Sequence, residues 1–150
     1  LDLISKTHVA EIHLYDGDYF QLHNAFRSPC AIEGKRFDDE PELKKVDYYA
    51  EMYSRMRYGV IPHGVYITKD NIGMLSDFNW VFISIDKNEA RSIITKELLA
   101  IKVPFIDVGL GVNKLEDSLI GTLRVTTATD LKNNHLHYRI GTEETHENEY

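Results

Sequence analysis

The sequence predicts an α/β fold in which helices cover a doubly wound, mainly parallel sheet. Short apolar runs alternate with longer segments in which apolar residues recur at every third or fourth position. Strand, helix and strand follow one another along the chain, which is typical of right-handed parallel crossovers. At 150 residues and 43% hydrophobic content, the chain has the length and apolar content of about one domain.

The first predicted strand starts near Ala10 and ends in a polar turn. Apolar and polar residues alternate up to Tyr15, and the acidic turn 16–18 (Asp-Gly-Asp) follows directly. A carboxylate at the carboxyl end of such a strand is well placed to hydrogen-bond a nucleotide ribose. The sequence therefore predicts that Asp16 and Asp18 line a nucleotide site.

Two further polar residues follow this turn at fixed distances. Asn24 lies eight residues after Asp16, and Arg27 lies three residues after Asn24. A guanidinium is permanently charged and can contact a phosphate with two N–H groups, while an amide gives directional hydrogen bonds. We expect both side chains to contact the nucleotide. The alternative is that they only tie the loop together.

The middle of the chain predicts a helix over 41–57, opened by Pro41, and then a strand over 60–68. Pro62 disfavours the first half of that strand, so 65–67 is its stronger part. One face of the helix is predicted to be buried, and its residues recur at spacings of three and four: Leu43, Val46, Ala50 and Tyr53.

The second half continues the alternation. Residues 80–85 are apolar at nearly every position, which favours a strand buried on both faces at the centre of a parallel sheet. A helix over 88–101 and a short strand over 104–108 follow, and Gly109 to Gly111 is expected to close that strand.

The sequence pattern near the end of the chain differs from the alternating strands and helices that precede it. Residues 118–127 are rich in β-branched side chains, which favours an additional edge or antiparallel strand. We expect the polar, acidic segment 128–150 to be poorly ordered.

Composition excludes several functional classes. The formal net charge of −7 leaves no basic footprint for nucleic acid. Cys30 is the only cysteine, which excludes an internal disulfide and a four-cysteine zinc site and suits a cytoplasmic protein. No apolar run approaches the roughly 18 residues that span a membrane, so we expect no membrane association.

The pattern D-x-D-x(5)-N-x-x-R resembles the signature of the ThiF/MoeB/HesA family, adenylating proteins related to the ubiquitin-activating E1 enzymes. The usual family text is close to D-x-D-x-V-x-x-S-N-L-x-R-Q. Here His23 replaces Ser, Ala25 replaces Leu and Ser28 replaces the final Gln. Both acids, the amide and the arginine keep their spacing.

Two other segments are similar to family text. Asp86 and Arg91 keep a D-x(4)-R separation, with Lys87 in place of the usual Asn. A family lysine at the start of the second helix matches Lys45 best, although Lys44 is an alternative. Without the resemblance, Asp86 could simply cap a helix and Lys45 could be an exposed helix lysine.

The resemblance covers roughly residues 1–127 and implies that they form a partial nucleotide-binding domain with a Rossmann-like fold that binds ATP and Mg²⁺. It implies that Asp86 holds the magnesium ion and that Arg27, Lys45 and Asp86 take part in catalysis. Oxygen ligands such as a carboxylate suit this cation. The nucleotide-binding residues that it implies are Asp16, Asp18, Asn24, Arg27, Lys45 and Arg91.

The implied reaction is adenylation of the C-terminal carboxylate of a ubiquitin-like or sulfur-carrier protein, with a homodimer as the usual assembly. The family's first strand and its G-x-G-G-x-G loop are not found within these 150 residues. Either the sequence is a fragment, which we favour, or the protein is a degenerate relative. We expect this chain alone to be inactive.

Two other functions stay open from the sequence. One is a non-catalytic E1-like partner that binds a ubiquitin-like protein or dimerises with a catalytic relative. The other, less favoured, is an NAD- or FAD-dependent oxidoreductase. The sequence does not name the carrier protein, the downstream sulfur or conjugation chemistry, or the oligomeric state.

Overall fold

The computed structural model describes residues 1–26, 28, 29, 36, 39 and 42–138, which form a mixed α/β chain with two sheets. This confirms the predicted α/β class. The chain divides into two compact units, Leu1–Ile67 and Thr68–Tyr150. None of the helices in the described part is both long enough and apolar enough to cross a membrane.

The first unit is built on a parallel pair of strands. Ile12 pairs with Val60, and the register continues to Tyr15 opposite His63. The first of these strands, Ile12–Tyr15, confirms the strand that the sequence predicts to start near Ala10. The elements of the first unit are α1 (Asp2–Ser5), β1 (Ile12–Tyr15), α2 (Leu22–Ala25), α3 (Lys45–Ser54) and β2 (Val60–His63).

Helix α3 supplies the apolar core of this unit. Ala50 and Tyr53 are buried together with Val60, and Leu14 packs against them. The helix begins at Lys45 rather than near residue 41, and Pro41 lies outside the described residues. The start is late because the preceding backbone pairs with the loop after β1, where the Phe20 N–H donates to the Leu43 carbonyl at 2.7 Å.

The prediction that Pro62 would weaken the first half of its strand is wrong. β2 contains Pro62, whereas 65–67 lie outside any strand. The Gly59 and His63 carbonyls accept bonds from β1, so the Pro62 nitrogen, one residue out of phase, faces away from β1. Since β1 is its only partner among the described residues, no ladder bond is lost.

The second unit contains a three-stranded sheet in the order β3-β4-β5. β3 and β4 are parallel, while β4 and β5 are antiparallel and joined by a tight turn. This confirms the predicted antiparallel strand near the C-terminus. The elements are a 3₁₀ turn (Ile72–Leu75), β3 (Val81–Ile83), α4 (Asn88–Ala100), β4 (Phe105–Leu115), β5 (Ser118–Ala128) and a second 3₁₀ turn (Asn134–Tyr138).

Two expectations about this sheet are wrong. β3 is not buried on both faces, since Phe82 is 51% exposed, and within the described residues the strand lies at the edge of its sheet. Gly109 and Gly111 do not close β4, which continues to Leu115. They stay in the strand because β5 pairs with the whole of it, with Gly109 opposite Arg124.

The C-terminal segment carries some structure before residue 139. Thr129 and Lys132 form an isolated antiparallel bridge, and Leu136 is buried. Residues 139–150 lie outside the described residues. The division of the chain at residue 127 stays a prediction.

Candidate functional site

The acidic turn that ends β1 has a fixed conformation. The backbone N–H of Asp18 donates to Oδ1 of Asp16 at 2.8 Å, which is an Asx-type turn. The N–H of Asp16 in turn donates to the His63 carbonyl at 3.4 Å. The turn is therefore held to the end of β2, and both carboxylates lie at the carboxyl edge of the parallel pair.

A short antiparallel bridge brings Lys45 to this turn. Tyr19 pairs with Lys44, and the N–H of Lys45 donates to the Asp18 carbonyl at 3.0 Å. The Lys45 ammonium then contacts Oδ2 of Asp18 and lies 3.6 Å from Oδ2 of Asp16. Three of the predicted site residues thus lie together, although they are far apart in sequence.

The two carboxylates set the ionisation of Lys45. Partial burial by itself would lower the pKa of Lys45, but the hydrogen bond to Asp18 and the charges of Asp16 and Asp18 outweigh it. The net effect raises the pKa of Lys45 above its ordinary value. Lys45 therefore carries a positive charge at any physiological pH.

Tyr66 is a site residue that the sequence did not indicate. Its hydroxyl donates to Oδ1 of Asp18, and this bond is the main cause of a raised pKa of Tyr66. Its ring covers Gly17, where an added Cβ would lie 2.5 Å from a ring carbon. The glycine between two acids was the available signal, since it marks a close approach by another group.

Lys44, the alternative to Lys45, is occupied elsewhere. Its ammonium donates to the Gly17 carbonyl at 2.5 Å and lies 4.0 Å above the Tyr19 ring. It supports the turn from the backbone side, so Lys45 is the lysine that faces the carboxylates.

Asn24 is buried and has a structural contact. Its Oδ1 accepts the N–H of Gln21 at 2.9 Å and so satisfies a donor at the start of α2. This contact agrees with the loop-tying alternative for the side-chain oxygen. Arg27, which was predicted to contact the nucleotide together with Asn24, lies outside the described residues.

An open cavity of ≈ 250 Å³ lies beside the turn. It is smaller than most small-molecule sites, which enclose roughly 300–1,000 Å³, so it suits part of a nucleotide rather than the whole. Its lining is mainly polar: Gly17, Asp18, Tyr19, Gln21, His23, Asn24, Lys45 and Tyr66.

The remaining two predicted site residues, Asp86 and Arg91, belong to the second unit. Asp86 is exposed just after β3, and no side-chain bond caps α4, so the capping alternative for Asp86 is not observed. Arg91 is buried, donates to Asn88 and to the Ile85 carbonyl, and lies 3.0 Å from Asp107. Contact of Asp86 or Arg91 with a nucleotide stays a prediction.

Asp107 is a second residue that the sequence did not single out. Its side chain is 0% exposed and forms ion pairs with Arg91 and with Arg124, at 3.0 and 3.2 Å. Arg124 donates a hydrogen bond, whereas the Nε–H of Arg91 is not directed at its oxygen. The three charges join α4, β4 and β5, which is a structural role.

Comparisons of the chain with protein-family models, with curated proteins and with solved structures find no match.

Proposed function

We propose that this chain forms part of an ATP-dependent adenylating domain that activates the C-terminal carboxylate of a ubiquitin-like or sulfur-carrier protein. The observation that carries the proposal is the arrangement of Asp16, Asp18 and Lys45. Two carboxylates and one ammonium meet at the carboxyl end of a parallel strand, where α/β sheets bind ligands.

Asp16 is suited to a ribose hydroxyl. Its Oδ1 is used by the turn, whereas Oδ2 has only the 3.6 Å ion pair with Lys45 among the described contacts. That distance is too long for a hydrogen bond, so the oxygen can accept one from a ligand. The adjoining cavity has room for a sugar.

Lys45 and Arg27 would supply the positive charge for the phosphates. Lys45 is held near the turn by Asp18, and a triphosphate would compete with that carboxylate for the ammonium. A preorganised cation lowers the barrier because its charge is already placed where negative charge develops. The carrier carboxylate would attack the α-phosphorus, the bond to the β-phosphate oxygen would break, and pyrophosphate would leave.

Asp86 fits the proposed Mg²⁺ role by chemistry. It is an exposed carboxylate without a helix-capping bond. The described residues contain no cluster of three or more His, Cys, Asp or Glu that could hold a metal alone. Mg²⁺ commonly binds through one or two carboxylates together with substrate phosphates, and a single Asp suits that mode.

The strand pairings within each unit support a Rossmann-like fold. β1 and β2 are parallel and the connection between them contains α3, while β3 and β4 are parallel and joined through α4. Such β-α-β crossovers are the building units of doubly wound sheets.

ATP–pyrophosphate exchange by the intact protein with its carrier partner tests the proposal. We expect Asp16→Ala and Lys45→Ala each to lower exchange about 100-fold or more, the scale of one lost transition-state contact. Lys96→Ala is the matched control, because Lys96 is an exposed lysine on α4. Absence of both ATP binding and exchange in the wild-type protein would refute the enzyme proposal.

A non-catalytic E1-like partner is the second candidate. It is favoured by Lys87 in place of the family Asn and by the neutralisation of Lys45 by two acids. This function requires carrier binding that does not depend on ATP. Calorimetry with the carrier, with and without ATP and Mg²⁺, separates the two functions.

A further inference from the structure

Tyr66 lies against the acidic turn that ends β1, although it is 48 residues from Asp18 in the sequence. Its ring takes the space beside Gly17, where an added Cβ would lie 2.5 to 2.7 Å from three ring carbons. Glycine is the residue that permits so close an approach. The Tyr66 hydroxyl also donates a hydrogen bond to Oδ1 of Asp18. Two different contacts therefore hold the ring over the turn.

The backbone of this turn is already held by other groups. The N–H of Asp18 donates to Oδ1 of Asp16 at 2.8 Å, and the Lys44 ammonium donates to the Gly17 carbonyl at 2.5 Å. The Asp18 side chain, by contrast, is 48% exposed. The backbone bonds do not set the rotation of this side chain, so its orientation depends on the groups that donate to its carboxylate. Tyr66 is one of these groups.

Asp18 connects Tyr66 to Lys45. Oδ1 of Asp18 accepts the Tyr66 hydroxyl, and Oδ2 contacts the Lys45 ammonium. A carboxylate is planar, so a bond that fixes one of its oxygens also limits where the other can lie. Lys45 has a long flexible stem, and a fixed acceptor keeps its ammonium in one place. The Tyr66 hydroxyl thus acts on the lysine through the carboxylate between them.

The two acids of the turn have different contacts. Both oxygens of Asp18 contact side chains of this chain. Asp16 uses Oδ1 within the turn, whereas its Oδ2 lies 3.6 Å from the Lys45 ammonium and can accept a hydrogen bond from a ligand. Asp16 is therefore suited to bind a ligand, and Asp18 is suited to position the cation.

The Lys45 ammonium can bind a phosphate while Asp18 holds it. An ammonium has more than one N–H donor, so the contact with Asp18 leaves donors for phosphate oxygens. Lys45 and Tyr66 both line the open cavity of ≈ 250 Å³ beside the turn, which gives a phosphate access to the ammonium. A cation that is already in place stabilises developing negative charge without further reorganisation.

We infer that Tyr66 is a positioning residue whose hydroxyl orients Asp18, so that Asp18 holds the Lys45 ammonium beside the cavity for a phosphate group. The effect on catalysis rests on the proposed adenylation. The effect on binding does not, because it applies to any ligand that brings phosphate oxygens to Lys45.

A double-mutant cycle in the intact protein tests this inference, with inorganic tripolyphosphate as the probe. Tyr66→Phe keeps the ring over Gly17 and removes only the hydroxyl. We expect it to weaken tripolyphosphate binding about 10-fold, the low end of what a hydrogen bond to a charged group contributes. In a Lys45→Ala background, the same substitution should change the affinity less than about 2-fold, because residues that act as one unit are not additive. Titration followed by ³¹P NMR measures strong and weak binding alike.

Tyr58→Phe is the matched control, because Tyr58 is a tyrosine of the same unit that is 96% exposed and has no described contact of its hydroxyl. It should bind tripolyphosphate as the wild type does. Equal losses for Tyr66→Phe with and without Lys45 would overturn the inference, since the hydroxyl would then act on the ligand directly. A variant with a lower melting temperature but wild-type affinity would also overturn it, because Tyr66 would then only stabilise the turn.

ATP–pyrophosphate exchange separates this inference from the proposed adenylation. A cycle that is non-additive for tripolyphosphate, in a protein without exchange activity, would support the inference and refute the adenylation. Exchange by the wild type, with unchanged binding and exchange in Tyr66→Phe, would overturn the inference alone. A wild type that binds neither ATP nor tripolyphosphate would overturn both.

Discussion

At the residue scale, the state of Asp18 decides the electrostatics of the candidate site. One of its carboxylate oxygens accepts the Tyr66 hydroxyl and the other contacts the Lys45 ammonium. The pKa of Lys45 and the pKa of Tyr66 are both raised, and Asp18 contributes to each shift. A ligand that binds the Lys45 ammonium in place of Asp18 must therefore supply the negative charge that this carboxylate provides.

Asp18→Asn is expected to lower the pKa of both neighbours. The amide keeps the shape of the carboxylate but removes the negative charge that favours protonated Lys45 and protonated Tyr66. NMR titration of the lysine ε-carbon and of the tyrosine ring carbons measures both values.

Asp47→Asn is the control for this experiment, because Asp47 is exposed two residues from Lys45 and has no described contact with it. It should leave both pKa values nearly unchanged. Unchanged values in Asp18→Asn would show that Asp18 does not form these contacts in solution.

At the element scale, Asp107 connects the helix and the hairpin of the second unit. Asp107→Asn would leave the buried guanidinium of Arg91 without its charged partner. Breaking a buried pair in this way costs about 3–5 kcal/mol. Urea denaturation followed by the fluorescence of Trp80, the single tryptophan, measures the free energy of unfolding.

Two further variants test how the loss of stability depends on the burial of the substituted residue. Arg124→Gln should cost less, because the Arg124 side chain is 32% exposed and water can replace part of the lost contact. Asp117→Asn, in the exposed hairpin turn, should change stability by less than about 0.5 kcal/mol. Equal costs for Asp107→Asn and Asp117→Asn would contradict a structural role for the ion pairs.

The stability of the β1–β2 pair is expected to depend on pH. Nδ1 of His13 lies 2.9 Å from Nε2 of His63, and Tyr15 stacks on His63. Burial, together with the charge on His13, lowers the pKa of His63 below its ordinary value of 6.5. Between the folded-state value and 6.5, the unfolded chain binds more protons, so stability falls as the pH drops through this window.

Thermal melts between about pH 7.5 and 5.5 test this dependence. We expect the melting temperature of the wild type to fall below about pH 6.5 and His63→Gln to fall less steeply. His8→Gln is the control, because His8 is exposed, and it should show the wild-type slope. A wild-type slope in His63→Gln would mean that another group causes the acid sensitivity.

The sequence predicted elements with a clear periodic pattern, including β1, α4 and the antiparallel strand β5. It failed where a tertiary contact overrides a local signal. Pro62 is tolerated because its nitrogen faces away from β1, the one strand that pairs with β2 among the described residues, and Gly109 stays extended because β5 pairs with it. Local patterns cannot show which strand edges are paired.

The candidate site was only partly predicted, again because local sequence patterns do not show tertiary contacts. The acidic turn after the first strand indicated Asp16 and Asp18, and the family resemblance added Lys45. The bridge between Tyr19 and Lys44 brings the three residues together. Tyr66 was missed because its contact with Asp18 spans 48 residues and follows no periodicity. Arg91 has the predicted spacing, but the buried Asp107 that faces it is visible only in the structure.

At the scale of the whole molecule, net charge opposes the association of two copies. Each chain carries a formal charge of −7 at pH 7, while the β4–β5 hairpin exposes uncharged leucines, among them Leu110, Leu119 and Leu123. The attraction would therefore come from apolar burial at short range, and the repulsion from charges spread over both molecules. These two contributions respond differently to salt, because ions screen long-range repulsion and leave apolar contacts in place.

Raising sodium chloride from about 20 to 200 mM should strengthen the association of two wild-type chains roughly several-fold, because the screening length falls from about 20 Å to below 10 Å. Sedimentation equilibrium at several salt concentrations measures this, with Leu123→Asp expected to stay monomeric throughout. An interface held by ion pairs would show the opposite trend, since screening weakens attraction between exposed charges. Weaker association at higher salt would therefore place the contact at a charged surface and not at the exposed leucines of the β4–β5 hairpin.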